Sequence, residues 1–412
     1  MNSRERVLTA LNHKEPDKIP VDCGSMRSTG ITAKMYSDYS KYSGVSNRCV
    51  KVYDMVQQLA IPEEWYLKKH QIDTVDLSRV FAKDDSEWHD FTLHDGTLVK
   101  NPNWINVKKR GSSFYILNGN DEEIAEMPQS SYFYDQKIWP YLGDNTDDFS
   151  TLPQKMHQIM WCEVADPMWQ HVTKENFYTQ VTEKAKELRE HSEYAVVAGF
   201  GGQLFELGCY IYRNDEFMVN LLVEQKRMEK LLDQITEMHC ENLKKFVNAV
   251  KGYVDVIVMG DDLGTQSAPT IDPLLYRKII WSRAKKIYNI IKSDSEIKIF
   301  LHSCGAVFDF IPYFIDAGVD ILNPVQTTAT GMDAVKLKKE FGKDIVFWGG
   351  GADTQKSMLF NKPQQIKEEV KRNCEIFMKD GGFIFNQIHN MLPGIPPHNI
   401  DAMYEAVNEI SY

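Results

Sequence analysis

The sequence predicts an α/β fold, a (β/α)8 TIM-type barrel with a β-rich insertion. Short apolar runs alternate with long amphipathic ones through most of the 412 residues. Eight such runs occur, and polar or ionisable residues gather where they end. In a barrel of parallel strands those ends form the mouth that carries the active site.

Taken in order, the expected strands are residues 19–24, 74–78, 195–200, 254–260, 297–303, 320–326, 344–350 and 382–389. The last six are rich in Val, Ile and Phe without polar alternation, as strands covered on both faces should be. Helices fit between them. Asn214 opens a stretch with Phe217, Leu221, Leu222, Leu231 and Ile235 at helical spacing. Asp272-Pro273 reads as an N-cap followed by proline at the first helical position. Further helices are expected over 333–341, closed by Gly342, over 363–379 and over 399–410. From about 84 to 141 the alternation breaks into aromatic and turn-rich sequence. His94-Asp95-Gly96-Thr97 and Asn118-Gly119-Asn120-Asp121 are hairpin turns by composition. This segment is read as an insertion within one domain spanning 1–412, serving as a lid over the mouth or, equally, as surface decoration or a dimer contact. A doubly wound sheet is the alternative fold. Its support is Gly199-Phe200-Gly201-Gly202-Gln203-Leu204, which lacks the third glycine of a dinucleotide fingerprint.

Composition narrows the function. Hydrophobic residues make up 43% and charged residues 25%, and the net charge is −11. An acidic balance argues against broad nucleic-acid binding. No run of about 18 apolar residues marks a membrane span. The charged start, Met1 to Arg6, lacks a signal-peptide core, so a cytoplasmic protein is expected. Seven cysteines, at 23, 49, 162, 209, 240, 304 and 374, contain no CxxC pair. That pattern suits reduced thiols, most of them small buried residues.

The strand ends carry the chemistry. They place Ser25, Met26 and Arg27 after the first run, Asp76 and Arg79 after the second, and Gln203 and Glu206 after the third. Asp261 and Asp262 follow the fourth, His302 and Cys304 the fifth, and Asn323 and Gln326 the sixth. Gly349-Gly350-Gly351 with Asp353 follows the seventh, and His389-Asn390 the eighth. Residues i and i+2 of a strand share a face, so His302 and Cys304 point together toward the axis. Imidazole and thiolate are zinc ligands, and a catalytic zinc takes three protein ligands with one open position. His389 is the natural third ligand. The competing readings are a packed cysteine with a hydrogen-bonded histidine, and a general base at His389. One of Asp261 and Asp262 is expected to face inward as a fourth ligand or acid/base, the other to cap a loop. Arg27 is either an anchor for an anionic group or half of a salt bridge. The glycines at 349–351 suit close approach to a ligand or a tight turn.

Several blocks resemble the uroporphyrinogen decarboxylase superfamily over nearly the whole chain. They are the opening "SRERVLTALNHKEPDKIPVD", then "GSMRSTG", "FGGQLFELG", "LHSCG", "LNPVQ", "GGGADTQ" and "PPHNIDAM". The resemblance implies a (β/α)8 barrel and one of two chemistries. Decarboxylases of the superfamily use two arginines and an aspartate without metal. Arg27 matches the first arginine and Asp76 the aspartate, but Ile31 stands where the second arginine belongs. The methyltransferase branch moves methyl groups between a corrinoid and a thiol or methyl donor on zinc held by His-x-Cys and a distant cysteine. Here His302 and Cys304 match the pair, and His389, ten residues before Asn399, replaces the cysteine. A His-Cys-His set leaves zinc a stronger Lewis acid, suited to a methyl ether or amine. The implied roles are zinc at His302, Cys304 and His389, acid/base or orienting work at Asp262 and Glu206, and substrate binding at Arg27, Asp76, Gln203, Asn323 and Gln326. No Asp-x-His-x-x-Gly corrinoid motif occurs, so a corrinoid would arrive on a separate protein. The expected partners are a small methyl donor or thiol, that corrinoid protein, and a second copy in a homodimer. A metal-free decarboxylase and a non-catalytic tetrapyrrole- or corrinoid-binding barrel are the alternatives.

Overall fold

The computed structural model describes residues 1–45, 50–164 and 166–412, so Cys49 lies outside the described residues. Seven strands form one parallel, curled sheet: β1 (Thr74–Asp76), β2 (Ala195–Gly201), β3 (Val256–Gly260), β4 (Lys298–His302), β5 (Ile321–Asn323), β6 (Val346–Trp348) and β7 (Phe383–Ile384). Each strand pairs with its neighbours in sequence. The order never reverses, so the switch point of a doubly wound sheet is missing and that alternative falls.

The first expected strand is corrected. Residues 19–24 form no ladder, only one parallel bridge from Val21 to Phe385. Pro20 has no N–H to give, and the Val21 N–H is taken by the Asp73 side chain at 3.0 Å. Gly24 then turns away with a φ of 75°. The segment still joins the two edges of the sheet. Phe385 donates to the Pro20 carbonyl at 2.8 Å, and Asp73 donates to that of Val21 at 2.7 Å. The arrangement is consistent with a TIM-like barrel in which one position is a bridge and seven are strands.

Alternation along the strands sorts two layers. Val197, Val256, Val258, Phe300, Ile321, Val346, Trp348 and Ile384 pack into an inner core, joined by Val7, Ala10 and Leu11 of the N-terminal helix. Residues of the opposite parity, such as Val196, Ile257, Ile299, Leu322 and Phe347, pack in the larger outer core, which includes Leu231, Leu243 and Ile287 of the helices. His302 and Asn323 have the parity of Phe300 and Ile321, and so continue the inner face.

The helices follow the expectations with small breaks. The stretch from Asn214 divides into Asn214–Val223 and Gln225–Val250, and Leu222 is exposed. Asp272 caps Pro273–Ile279 by accepting from the Leu274 N–H, and a second helix, Trp281–Asp294, follows. Asp333 caps Ala334–Phe341, and Pro363–Phe377 and Pro397–Asn408 complete the set. The β-rich stretch forms antiparallel pairs across both expected turns, Trp88–Thr92 with Leu98–Pro102 and Ser113–Leu117 with Glu123–Met127. The first pair recruits Val50–Asp54 in parallel, a strand from outside the expected segment. No helix among the described residues is long and apolar enough to cross a membrane. The six described cysteines are free thiols.

Candidate metal and catalytic centre

One donor atom each from His302, Cys304 and His389 lies within 4.8 Å of the other two. His302 is the last residue of β4, Cys304 follows on the same side, and His389 arrives from the loop after β7. The Cys304 sulfur is 3.3 Å from His302 Nε2, and the two imidazole rings are 5.8 Å apart at 65°. Burial pushes the Cys304 thiol well above its usual range, and the carboxylates of Asp262 and Glu206 push it further. Burial, then His302, holds the His389 imidazole down to about 4. That keeps the ring neutral, the form that binds a metal. Two imidazoles and a thiol that a cation would ionise make a donor set suited to zinc.

Acidic groups border this cluster. The Cys304 N–H donates to Asp262 Oδ1 at 2.7 Å, and the same oxygen is 3.7 Å from His302 Nε2. Asp261 instead accepts from the N–H groups of Phe205 at 3.0 Å and Glu206 at 2.8 Å, at the start of the helix Phe205–Tyr212. Burial raises Asp261 to about 7. Glu206 is pushed well above its usual range by burial, then by Asp262 and Asp261, and accepts from the Tyr210 hydroxyl at 2.7 Å.

The remaining expected residues sort by their partners. Asn323 Oδ1 is 2.6 Å from His302 Nδ1. Gln326 accepts from the Gly305 N–H at 2.9 Å and donates to Gln266 at 2.7 Å, holding the loop after Cys304. The Gln203 carbonyl is bonded to His239 at 2.9 Å, while its amide lies over Gly201. Arg27 is paired twice, with Asp166 at 2.6 Å and buried Asp54 at 3.0 Å, so it is the cation of a partly buried ion cluster. Asp76 caps the turn Leu77–Ala82 through the Ser78 N–H at 2.9 Å and lines a separate cavity with Tyr53, Ser78 and Arg79. Asn390 binds the Arg27 carbonyl, and Asp353 caps its own loop through the Gln355 N–H. The glycines at 349–351 serve close packing: a Cβ on Gly349 would lie 2.2 Å from the Pro324 carbonyl oxygen.

Three members of the site were missed in the sequence. Ser28 Oγ lies 3.3 Å from His302 Nε2, and its position beside Arg27 in "GSMRSTG" was the available signal. Tyr210 stands one helical turn after Glu206, a spacing that brings two side chains together. The Trp348 carbonyl, which holds Asn323 at 2.8 Å, carries no sequence signal at all.

A curled parallel sheet with ionisable side chains and a cluster of potential metal donors gathered at its strand ends defines an enzyme of the TIM-like barrel class. The chain belongs to the uroporphyrinogen decarboxylase (URO-D) family, which it matches over residues 154–410. The uroporphyrinogen decarboxylase of Legionella pneumophila (strain Lens) is 26% identical over 223 residues, 52% of this chain and 58% of that protein. That of Geobacter sulfurreducens is 26% identical over 235 residues, 54% of this chain and 63% of its own. The chain thus spans less than two thirds of these curated relatives. A methyltransferase from Methanosarcina mazei shares the fold, with a TM-score of 0.59 over 99% of both chains at 18% identity.

Proposed function

We propose that this protein is a zinc-dependent, corrinoid-linked methyltransferase that moves a methyl group between a small methyl donor or thiol and a separate corrinoid protein. The observation that carries the reading is the convergence of His302, Cys304 and His389 donor atoms within 4.8 Å. These three residues would hold the metal. When bound, zinc would lower the pKa of a thiol or polarise the oxygen or nitrogen of a methyl donor.

The chain's own groups supply the rest. Asp262 fixes the Cys304 backbone at 2.7 Å and brings the same oxygen to 3.7 Å from His302 Nε2. Burial, then Asp262 and Asp261, push the Glu206 carboxyl well above its usual range, which favours its protonated form. A protonated Glu206 would offer its carboxyl hydrogen to the oxygen or nitrogen that loses a methyl group. Gln203 and Tyr210 orient the substrate beside it, and the fold resemblance to a methyltransferase supports the class.

Elemental analysis of purified protein tests this reading. About one zinc per chain is expected, and Cys304→Ala should abolish both the metal and methyl transfer to a reduced corrinoid. Metal-free protein from zinc-replete cells would overturn it. A second reading, decarboxylation of a carboxylated tetrapyrrole through Arg27 and Asp76, is favoured by the names of the curated relatives. The double ion pairing of Arg27 weighs against it. Incubation with uroporphyrinogen separates the two, because the methyltransferase reading expects no turnover.

A further inference from the structure

A neutral imidazole has one lone pair to offer, and the surroundings of His302 decide which nitrogen carries it. Nδ1 of His302 lies 2.6 Å from Oδ1 of Asn323. The Asn323 amide is oriented in turn, because its Nδ2 donates to the Trp348 carbonyl at 2.8 Å. A carbonyl only accepts, so the NH2 group must face Trp348 and the amide oxygen must face His302. That oxygen also only accepts, so Nδ1 must carry the ring hydrogen. The lone pair is then on Nε2, the atom 3.3 Å from the Cys304 sulfur and 3.7 Å from Asp262.

The chain of contacts is rigid at its far end. The Trp348 indole donates to Asp22 Oδ2 at 2.9 Å, and Thr74 donates to the other Asp22 oxygen at 2.6 Å. Asn323, Trp348 and Asp22 are all fully buried, so water does not compete for these bonds.

We infer that Asn323 is a positioning residue that selects the Nδ1–H tautomer of His302 and presents Nε2 to the metal. The metal part of this inference rests on the zinc reading, whereas the tautomer does not. Second-neighbour partners of this kind typically change metal affinity about 10–100-fold when removed.

Two variants isolate the contact. Asn323→Leu removes both the acceptor for His302 and the donor for Trp348. Asn323→Asp restores the acceptor while still lacking that donor. Nitrogen-15 NMR of metal-free protein reads the tautomer, and competition with a chelator reads zinc affinity. The Nδ1–H tautomer is expected in the wild type and in Asn323→Asp, with a mixed population in Asn323→Leu. Zinc affinity should fall about 10–100-fold in the leucine variant and stay within a few-fold in the aspartate variant. The inference is overturned if the leucine variant keeps the Nδ1–H tautomer, or if the aspartate variant loses as much zinc affinity as leucine. A wild type that binds no zinc would sink the metal reading, while the NMR measurement would still decide the tautomer.

Discussion

The Cys304 backbone N–H donates to Oδ1 of Asp262 at 2.7 Å, so the end of one strand holds the end of the next through a carboxylate. The bond fixes the loop that carries the thiol, and it also places a negative charge beside that thiol. Two effects with opposite consequences meet in one residue. Asp262 holds the loop on which a cation-binding thiol would sit, and its charge adds to burial in raising that thiol above its usual range.

This second effect is measurable in metal-free protein. Asp262→Asn keeps an acceptor for the Cys304 N–H but removes the charge, which lowers the thiol pKa and raises the thiolate fraction at a given pH. Iodoacetamide labelling of Cys304 at pH 8, followed by peptide mass mapping, should speed up about tenfold, the equivalent of one pKa unit. Unchanged labelling would show that the Asp262 charge does not set the thiol, leaving burial and Glu206.

The glycine after Cys304 makes that arrangement possible. Gly305 has a φ of 84°, and a Cβ there would lie 2.4 Å from the Gly264 backbone. Gly264 in turn passes so close that its own Cβ would sit 2.6 Å from the Cys304 carbonyl oxygen. Gly305→Ala should therefore push the 304–305 loop off the 262–264 loop. The expected cost is about 2–3 kcal/mol in urea unfolding, with a parallel fall in zinc retention. A wild-type melting curve would show that the loops part without penalty.

The limits of the sequence follow from where partners lie. Phe300, His302 and Cys304 sit two apart on one apolar run, so their common face was readable from local spacing. The irregular edge at 19–24 was not, because the Val21 N–H is captured by Asp73, a side chain 52 residues away. Arg27 was readable as an anion anchor or as half of a salt bridge, and nothing local announced that Asp54 and Asp166 would be its partners. Val50–Asp54 joined the hairpins through Val99 and Lys100, with Lys51 interrupting the apolar pattern. Asn323 and Gln326 were singled out as polar groups at a strand end. Their bonds to His302 and to the Gly305 N–H depend on neighbouring strands. Residue type and face were legible; long-range pairing was not.

Asp73 should be a sensitive charge in the scaffold. It is buried, accepts from Arg6 at 2.6 Å with one oxygen and from the Val21 N–H with the other. It thereby ties the N-terminal helix and the bridging segment to the edge of the sheet. Asp73→Ala leaves the Val21 N–H without its acceptor and removes one partner of Arg6, which keeps Asp17 and the Met1 carbonyl. A loss of about 3 kcal/mol is expected in urea unfolding, with Asp73→Asn intermediate. A change below about 1 kcal/mol would mean that water enters and replaces the carboxylate.

Acid sensitivity offers a check far from the centre. His70 is buried, stacked on Tyr404 with ring centroids 4.2 Å apart, and its Nε2 lies 2.8 Å from the Tyr39 hydroxyl. Burial, then the charge of Lys69, holds its folded-state pKa down to about 3, below the value near 6.5 of an unfolded chain. Between those values the unfolded chain binds a proton that the folded one refuses. The contribution of His70 is therefore complete above about pH 6.5 and is lost progressively as the pH falls toward 3. Other buried groups titrate in the same range, Asp261 with the opposite sign, so the total curve does not isolate the effect. The difference between the wild type and His70→Phe, which keeps an aromatic ring against Tyr404, does isolate it. From pH 7.5 to pH 5 the wild type should lose about 2 kcal/mol relative to the variant in urea unfolding. Parallel curves would mean that His70 takes up its proton in the folded state, and that the Tyr39–Asp401 side of the site opens to accommodate it.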